Sequence, residues 1–354
     1  MSEGRLSADR ALDPVALAVA LMEVDSTSGR EHDVIALVER LLAGRGWRTR
    51  RIPVSEGRND LLATSGDAPV VTLSTHLDTV PPFVPPRVDG GRLYGRGSCD
   101  AKGIAAAMVC AAERLRDDGV SAALLFVVGE ETTHDGAHAA NDAHPPPSSR
   151  VLINGEPTES TLALGTKGAV RVTVTTSGQA AHSAYPHLGR SATADLVRLL
   201  AELDTLDLPR DPVLGDTTIN IGRLAGGVAD NVLAPWAEAR LMARIVTPVD
   251  DVLTILRQWT HGRATLDVGP FVPAVYLATV PGFPTSVAAY ATDIPALTNW
   301  GTPYLFGPGS IHVAHTDDEH VEIAELRAAV EAYETLAREA LAREAGSEGQ
   351  RVGG

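Results

Sequence analysis

The chain has 354 residues, 44% of them hydrophobic, and a formal net charge of −15 at pH 7. This length favours two domains, and the excess of acid argues against a nucleic acid or an anionic membrane as partner, because both attract a basic face. The longest apolar runs fall short of the roughly 18 residues that a transmembrane helix needs, so no membrane span is predicted.

Near the amino terminus, Asp13 followed by Pro14 predicts a helix N-cap and first helical position rather than part of a signal peptide. The two cysteines, Cys99 and Cys110, are too few for a disulfide framework and are typical of a reducing compartment. We interpret Cys99 as a packing residue. With no other address visible in the sequence, we expect a cytoplasmic protein.

Three apolar runs in the first half predict buried strands: "APVVTLST" (68–75), "AALLFVVG" (122–129) and "RVLING" (150–155). A helix is predicted before each strand, for example over residues 31–46 and 101–119. This alternation predicts an α/β domain with a mostly parallel sheet and helices on both faces.

The pattern changes at about Gly165, where "AVRVTVTTSG" alternates as a half-exposed strand does. The segments that follow predict the order β-α-β-β-α-β, a compact unit of ferredoxin-like type. We therefore predict a larger domain from residues 1–164 and 273–354, with a smaller domain of residues 165–272 inserted into it. A helix over residues 323–345 closes the larger domain, and the tail after it is expected to be disordered.

Side chains that bind metals follow all three strands of the larger domain. The strand ends contribute His76 and Asp78, then Glu130 and Glu131, and then Glu156. Two glycine-rich segments add Asp100, just before a helix, and His315. Because ligands bind at the carboxyl ends of strands in open α/β sheets, we expect these side chains to converge.

Alternation along a strand places His76 and Asp78 on the same side of the chain. A carboxylate beside a histidine commonly orients a ring nitrogen toward a metal. A capped strand end with a satisfied histidine would give the same short pattern.

So many carboxylates and histidines in one place would repel one another unless one or two divalent cations neutralised them. Imidazole and carboxylate ligands suit zinc, with cobalt or manganese as possible substitutes. The neighbours Glu130 and Glu131 point in different directions, so one can bind metal while the other takes a proton from water. A solvated acidic turn is the alternative interpretation of this pair.

Seven segments of the chain resemble one enzyme family, and they lie in order between about residues 74 and 323: "STHLDTVP", "GRLYGRGSCDAKGIAAA", "GEE", "NGEPT", "GQAAHSAYPHLGRSA", "GGVADNVLAP" and "GPGSIHVAHTDDEHVEI". The family is the co-catalytic zinc amidohydrolases and exopeptidases. It includes acetylornithine deacetylase, succinyl-diaminopimelate desuccinylase, carboxypeptidase G and the aminoacylases. The resemblance makes the larger domain catalytic and the inserted domain a lid and dimerisation domain.

The resemblance implies a role for each of the converging residues. His76 and Glu156 would hold one zinc, Glu131 and His315 the other, and Asp100 would bridge both and precede a cis peptide bond. Asp78 would orient His76, and Glu130 would be the general base.

The resemblance also assigns roles around the substrate. His182 would reach the active site of a neighbouring subunit and stabilise the oxyanion, which implies a homodimer. Asn231 and Arg244 would bind the carboxylate of the substrate. Gly309 and Ser310 would line the pocket.

The remaining histidines were weighed against these assignments. His134 and His138 have the i, i+4 spacing of a helical metal pair, but they match no ligand of the family, and we interpret them as surface residues. His312 competes with His315, which the segment "AHTDDE" favours. His32, His144 and His187 receive no role.

The predicted reaction is zinc-dependent hydrolysis of the amide bond of an N-acyl amino acid, a small-molecule substrate. The branch that the sequence most resembles is acetylornithine or acetylcitrulline deacetylase, enzymes of arginine biosynthesis. Two departures bear on the acyl group and side chain: the chain is short for this branch, and "ARLMAR" lacks an acidic residue that often precedes the arginine. Alternatives are succinyl-diaminopimelate, a carrier-protein-bound lysine or ornithine, or a dipeptide as substrate. A more remote alternative is a regulator that binds metal without catalysis.

Overall fold

A computed structural model describes residues 11–351 of the chain, with side chains described for residues 11–346. The chain forms two compact units. The first comprises the described residues up to Leu164, Leu277–Ser286 and the described residues from Thr292 onward. The second comprises Gly165–Tyr276 and Val287–Ala291. In sequence, the second unit is thus inserted into the first. Residues 287–291 also belong to the second unit.

The described residues contain seven α-helices: α1 (Pro14–Met22), α2 (His32–Gly44), α3 (Lys102–Asp117), α4 (Asp135–Asp142), α5 (Ala192–Leu200), α6 (Val249–Thr260) and α7 (Ile323–Arg351). The strands of the same range are β1 (Arg48–Ser55), β2 (Arg58–Thr64), β3 (Val71–His76), β4 (Arg87–Asp89), β5 (Arg92–Tyr94), β6 (Ala122–Val127), β7 (Val151–Asn154), β8 (Leu162–Thr166), β9 (Gly168–Ser177), β10 (Arg210–Asp211), β11 (Gly215–Asp216), β12 (Thr218–Gly226), β13 (Trp236–Ile245), β14 (Thr265–Val272), β15 (Val275–Tyr276), β16 (Thr285–Ala288), β17 (Thr302–Leu305) and β18 (His320–Glu322).

The first unit is built on a six-stranded sheet of order β1-β2-β6-β3-β7-β17. Strands β6, β3, β7 and β17 are parallel, and β1 and β2 form an antiparallel edge. The first unit is therefore α/β with a mixed sheet. Our expectation that a helix directly precedes β3 was wrong, because β1 and β2 intervene. Strand β1 has the sequence "RTRRIPVS". Its charged, solvent-facing residues give it the sequence pattern of a loop.

Both faces of this sheet are covered, and β6 shows how. Leu124 and Phe126 pack in the main core with α1, α3 and α7, while Leu125 and Val127 pack on the other face with α4 and Trp300. A strand whose successive side chains are all buried reads as a continuous apolar run, and this explains why β3 and β6 were predictable. Because both faces of the sheet are packed, the carboxyl ends of its strands are held in fixed positions.

The second unit contains a four-stranded antiparallel sheet of order β12-β13-β9-β14. Its main elements follow the order β-α-β-β-α-β, with the small hairpin β10–β11 added before β12. Helices α5 and α6 and the inward residues of the sheet form a separate apolar core. The outward residues of β13 alternate with buried ones, as the sequence pattern predicts.

Several smaller expectations are settled within the described residues. The carboxylate of Asp13 accepts a hydrogen bond from Val15 N and caps α1. Helix α7 extends to Arg351, beyond its predicted end at residue 345, and residues 352–354 of the expected disordered tail lie outside the described range. Within that range no helix is both long enough and apolar enough to cross a bilayer.

Candidate metal centre

The carboxyl ends of β3 and β7 and the bend before α3 bring three buried side chains together. His76 is the last residue of β3, Glu156 follows β7, and Asp100 stands at the start of α3. One potential ligand atom from each lies within 4.8 Å of the others, and all three residues are buried. The parallel arrangement of β3 and β7 places His76 and Glu156 at the same edge of the sheet.

A second group of ligand atoms shares Asp100 with the first. Asp100, Glu131 and His315 also each offer an atom within 4.8 Å of the other two. His315 arrives from the segment before β18 and is half exposed, with a left-handed φ of 64°. His312 is exposed and belongs to neither group.

The two oxygens of Asp100 face different histidines. Oδ1 lies 3.0 Å from Nε2 of His76, and Oδ2 lies 3.2 Å from Nε2 of His315. The peptide bond between Asp100 and Ala101 is cis, as the family resemblance implies. This carboxylate is therefore oriented as a bridge between the two groups.

Asp78 makes its shortest contact with His76 through its backbone. Nδ1 of His76 lies 2.9 Å from the backbone carbonyl of Asp78 and 3.6 Å from its carboxylate Oδ1. The carboxylate instead accepts the N–H groups of Glu130 and Glu131 at 3.1 and 3.3 Å, and the hydroxyl of Ser28 at 2.7 Å. Asp78 thus orients His76 mainly through its backbone, and its side chain fixes the turn that carries both glutamates.

Glu130 and Glu131 extend to different partners. Oε1 of Glu131 lies 3.1 Å from Nε2 of His315. Oε1 of Glu130 lies 3.8 Å from Nδ1 of His134 and outside both groups. Burial, followed by repulsion from Glu156, holds the pKa of Glu130 well above its usual range.

The charges of the cluster are strongly coupled. Burial, with the nearby charge of Asp100, also raises the pKa of Glu156. Burial opposes the charged form of His76, but the nearby carboxylates of Asp100 and Asp78 raise its pKa overall. Hydrogen bonds from His315 and His76 outweigh burial and lower the pKa of Asp100. The buried carboxylates of Glu130 and Glu156 therefore repel neighbouring carboxylates, and a bound cation would relieve this repulsion.

The donor set fits two divalent cations. Oε1 of Glu156 is buried and has no hydrogen-bond partner among the described residues, so it is free to coordinate. Metal–ligand bonds near 2.0–2.1 Å in tetrahedral geometry place ligands about 3.3 Å apart. The separations of 3.0–3.2 Å around Asp100 are close to this value.

Sequence reasoning missed Glu319, which supports the bend that carries Asp100. Its carboxylate pairs with Arg96 at 2.5 Å, and both side chains are almost fully buried. Its Oε1 also accepts hydrogen bonds from the N–H groups of Gly97 and Asp100. The signal in the sequence is the third acidic residue of "AHTDDEH", the same segment that contains His315.

The interpretation of His134 as a surface residue was wrong. Its side chain is 18% exposed and its Nδ1 lies 2.8 Å from Oδ1 of the buried Asp293. Glu130, His134 and Asp293 form a third group whose ligand atoms lie within 4.8 Å of one another. His138 lies one turn further along α4 and is exposed, as are His32, His144 and His187.

The glycine loop before His315 packs against the residue preceding Asp100. Gly309 has a left-handed φ of 84°, and a Cβ there would lie 2.5 Å from Cβ of Cys99. The hydroxyl of Ser310 donates to Glu159 Oε1 at 2.6 Å. Burial holds the pKa of Cys99 well above its usual range, so it stays a thiol, in keeping with a packing role.

Three predicted residues lie in the second unit. His182 and Asn231 belong to adjacent segments, joined by a bridge between His182 and Val232 and by the bond from Ser183 N to Asn231 O at 2.9 Å. Both side chains are exposed. Arg244 is half buried on β13, where burial, followed by the charge of Arg171, lowers its pKa.

Comparisons with known proteins identify the family. Residues 72–339 match the family described as Peptidase family M20/M25/M40. The chain belongs to this family. It is 37% identical to a peptidase M20 domain-containing protein of Schizosaccharomyces pombe, over 91% of this chain and 83% of that protein. It is 36% identical to a probable carboxypeptidase of Aspergillus flavus, over 91% of this chain and 86% of that protein.

Among solved structures, a tripeptidase of Staphylococcus aureus has a similar fold, with a TM-score of 0.78 and 20% identity over 93% of this chain and 98% of that one. Membership of the M20 family makes the protein a hydrolase of amide bonds, and the predicted class of metal-dependent enzyme is confirmed. Family membership does not specify the substrate, which distinguishes the branches of the family.

Proposed function

We propose that the protein is a two-zinc hydrolase that releases an amino acid from its N-acyl derivative, as acetylornithine deacetylase does. Asp100 carries this proposal, because its two oxygens face two separate groups of ligands. His76 and Glu156 would hold one zinc, Glu131 and His315 the other, with Asp100 bridging. Cobalt or manganese could occupy the same mixed set of nitrogen and oxygen donors.

Bound cations would supply Lewis acidity for the carbonyl oxygen and lower the pKa of water. Glu130 would perform the proton transfers. It takes a proton from the attacking water and delivers it to the amide nitrogen as the carbon–nitrogen bond breaks, so acid and amine are the products. Its carboxylate lies outside both groups of proposed zinc ligands but interacts with the charges of Glu156, His76 and Glu131, which supports this role over binding of either zinc.

The substrate would present a free carboxylate next to the amide nitrogen. N-acyl amino acids have this feature, and so does the carboxyl-terminal residue of a peptide. The relative named as a probable carboxypeptidase favours peptides as the second candidate. In either case Arg244, crowded by the cationic Arg171, is suited to bind the carboxylate, with Asn231 beside His182 as a further donor. Gly309 and Ser310 would line the pocket.

His182 would stabilise the oxyanion from the neighbouring subunit of a homodimer formed through the second unit. Its exposure in a hydrogen-bonded pair of segments supports a role at a surface. Mixing His182→Ala with Glu130→Ala protein should restore part of the activity, since one of the two sites in each mixed dimer would contain both wild-type residues. No recovery after proven subunit exchange would refute a shared site.

A substrate panel tests the reaction. The protein is stripped with a chelator, reloaded with two equivalents of zinc, and assayed on N-acetyl, N-succinyl and carrier-linked amino acids and on blocked and free dipeptides. We expect hydrolysis that is zinc-dependent and fastest on N-acetyl basic amino acids. Faster cleavage of dipeptides would establish the carboxypeptidase candidate instead. Zinc binding with no hydrolysis of any substrate would favour the non-catalytic regulator.

A cytoplasmic location agrees with the two buried free thiols.

A further inference from the structure

His134 lies beside the proposed general base and has no role in the mechanism so far. Nδ1 of His134 is 2.8 Å from Oδ1 of Asp293 and 3.8 Å from Oε1 of Glu130. The exposed fractions of the three side chains are 18%, 1% and 11%. One edge of the imidazole therefore faces both a fully buried carboxylate and the carboxylate of the base.

The turn that presents His134 is closed by its own backbone. The N–H groups of Thr133 and His134 donate to the carbonyl of Gly129 at 3.0 and 2.8 Å. His134 then takes a left-handed φ of 54°. A residue with a Cβ rarely adopts this conformation, and strained residues of this kind cluster at functional sites.

Asp293 fixes the imidazole from a distant part of the chain. It precedes the short 3-10 turn Ile294–Ala296, and its Oδ2 has no hydrogen-bond partner among the described residues. A buried carboxylate is costly unless a cation or donor faces it. His134 supplies that donor, and its ring also faces the carboxylate of Glu130, which the bare charge of Asp293 would repel.

We propose that His134, held by Asp293, is a positioning residue that aims the carboxylate of Glu130 for proton transfer. This inference rests on the proposed function, in which Glu130 is the base. The competing explanation is a structural histidine that only satisfies Asp293 and begins α4. The two explanations differ in what happens to Glu130 when the imidazole is removed.

The experiment uses zinc-loaded full-length protein with four changes: His134→Ala, His134→Asn, Asp293→Asn and, as a matched control on the same helix, the exposed His138→Ala. Steady-state kinetics, zinc content and thermal unfolding are measured for each. Crystal structures of the wild type and the two alanine variants then show the conformation of the Glu130 side chain.

We expect His134→Ala to lower kcat about 10- to 100-fold while KM changes less than about threefold, because a misaimed catalytic group costs rate rather than binding. Two zinc ions per subunit should remain. His134→Asn should recover most of the rate, since asparagine tolerates positive φ and its amide nitrogen can replace Nδ1. Asp293→Asn should lower kcat as well, and His138→Ala should match the wild type.

The inference is overturned if His134→Ala keeps kcat within twofold of the wild type, if it loses zinc, or if asparagine rescues no better than alanine. Should the alanine variant fail to fold, His134→Asn with normal kcat and Asp293→Asn with lowered kcat would support the inference, and an unchanged kcat in Asp293→Asn would overturn it.

The crystals separate this inference from the proposed function. If the wild type hydrolyses no substrate, the proposed function fails, yet a Glu130 side chain that is ordered in the wild type and takes several rotamers in His134→Ala still supports positioning. An unchanged Glu130 in that variant overturns it whatever the activity.

Discussion

The carboxylate of Glu319 and the backbone of Asp100 are directly joined: Oε1 accepts the N–H of Asp100 at 3.3 Å. The other oxygen of Glu319 pairs with Arg96 at 2.5 Å in a position closed to solvent. A residue that binds no metal itself thus fixes the bend that presents the proposed bridging ligand.

Removing Glu319 should therefore damage both stability and the metal centre. We expect Glu319→Ala to lower the free energy of unfolding by about 3 kcal/mol, because it leaves Arg96 buried without its partner, and to weaken zinc binding. Urea unfolding and zinc titration check both effects. The control is Glu322→Ala, which breaks the exposed pair with Arg92 and should change the free energy of unfolding far less. Equal effects of the two variants would contradict this account.

Replacing each of the two adjacent glutamates by glutamine distinguishes their roles. Glu130→Gln should keep two zinc ions and lose about 10²- to 10⁴-fold in kcat, because only the base is removed. Glu131→Gln should lose zinc affinity, because its Oε1 lies in the group with His315 and Asp100. Metal analysis beside kinetics distinguishes them. Loss of zinc from the first variant and retention by the second would show that the roles are exchanged.

Gly309 offers a test of the loop beside Asp100. A Cβ at this position would come within 2.5 Å of Cβ of Cys99, whereas at Gly282, whose φ of 90° is similar, it would meet nothing within 4 Å. Gly309→Ala should therefore destabilise the protein by more than Gly282→Ala, which pays only about 1–2 kcal/mol for its backbone. Chemical unfolding of both variants measures the difference. An equal loss of unfolding free energy in the two variants would show that Cys99 moves aside at no measurable cost.

Asp60 predicts a pH dependence of stability that is independent of the metal ligands. Burial, with the charge of Asp293 nearby, raises the pKa of Asp60 from its usual 3.8 to about 8. The folded protein then holds a proton that the unfolded chain releases, so this contribution is complete below about pH 4 and is lost as the pH rises to about 8.

Asp60→Asn should consequently show a smaller fall in unfolding free energy between pH 5 and pH 8 than the wild type, because asparagine stays neutral and can still accept the N–H of Val128. Urea unfolding at several pH values follows the effect. Asp67→Asn changes a carboxylate that is 93% exposed and should leave the profile unaltered. Parallel profiles for Asp60→Asn and the wild type would argue against a protonated Asp60.

The positions of His76, Glu131 and Glu156 were readable in the sequence for a simple physical reason. Each follows an apolar run that forms a buried parallel strand, and the carboxyl ends of such strands lie at one edge of a sheet. Asp100 and His315 have no such strand before them. Their glycine-rich segments indicated them as candidates, and the resemblance to known sequences assigned their roles.

Other parts were hidden because they depend on partners far away in the chain. His134 and Asp293 are 159 residues apart, and the spacing of His134 from His138 suggested an exposed helix face instead. Arg96 and Glu319 are 223 residues apart. Strand β1 was missed because its charged residues on the edge of the sheet resemble a loop.

The most direct test of the two-metal site is a crystal structure of the protein with two equivalents of zinc, with anomalous data collected at the zinc edge. We expect two peaks about 3.5–4 Å apart, one held by His76 and Glu156 and the other by Glu131 and His315, with one oxygen of Asp100 on each. Zinc bound at other residues, or a single ion with Asp100 free on one side, would contradict the assignment.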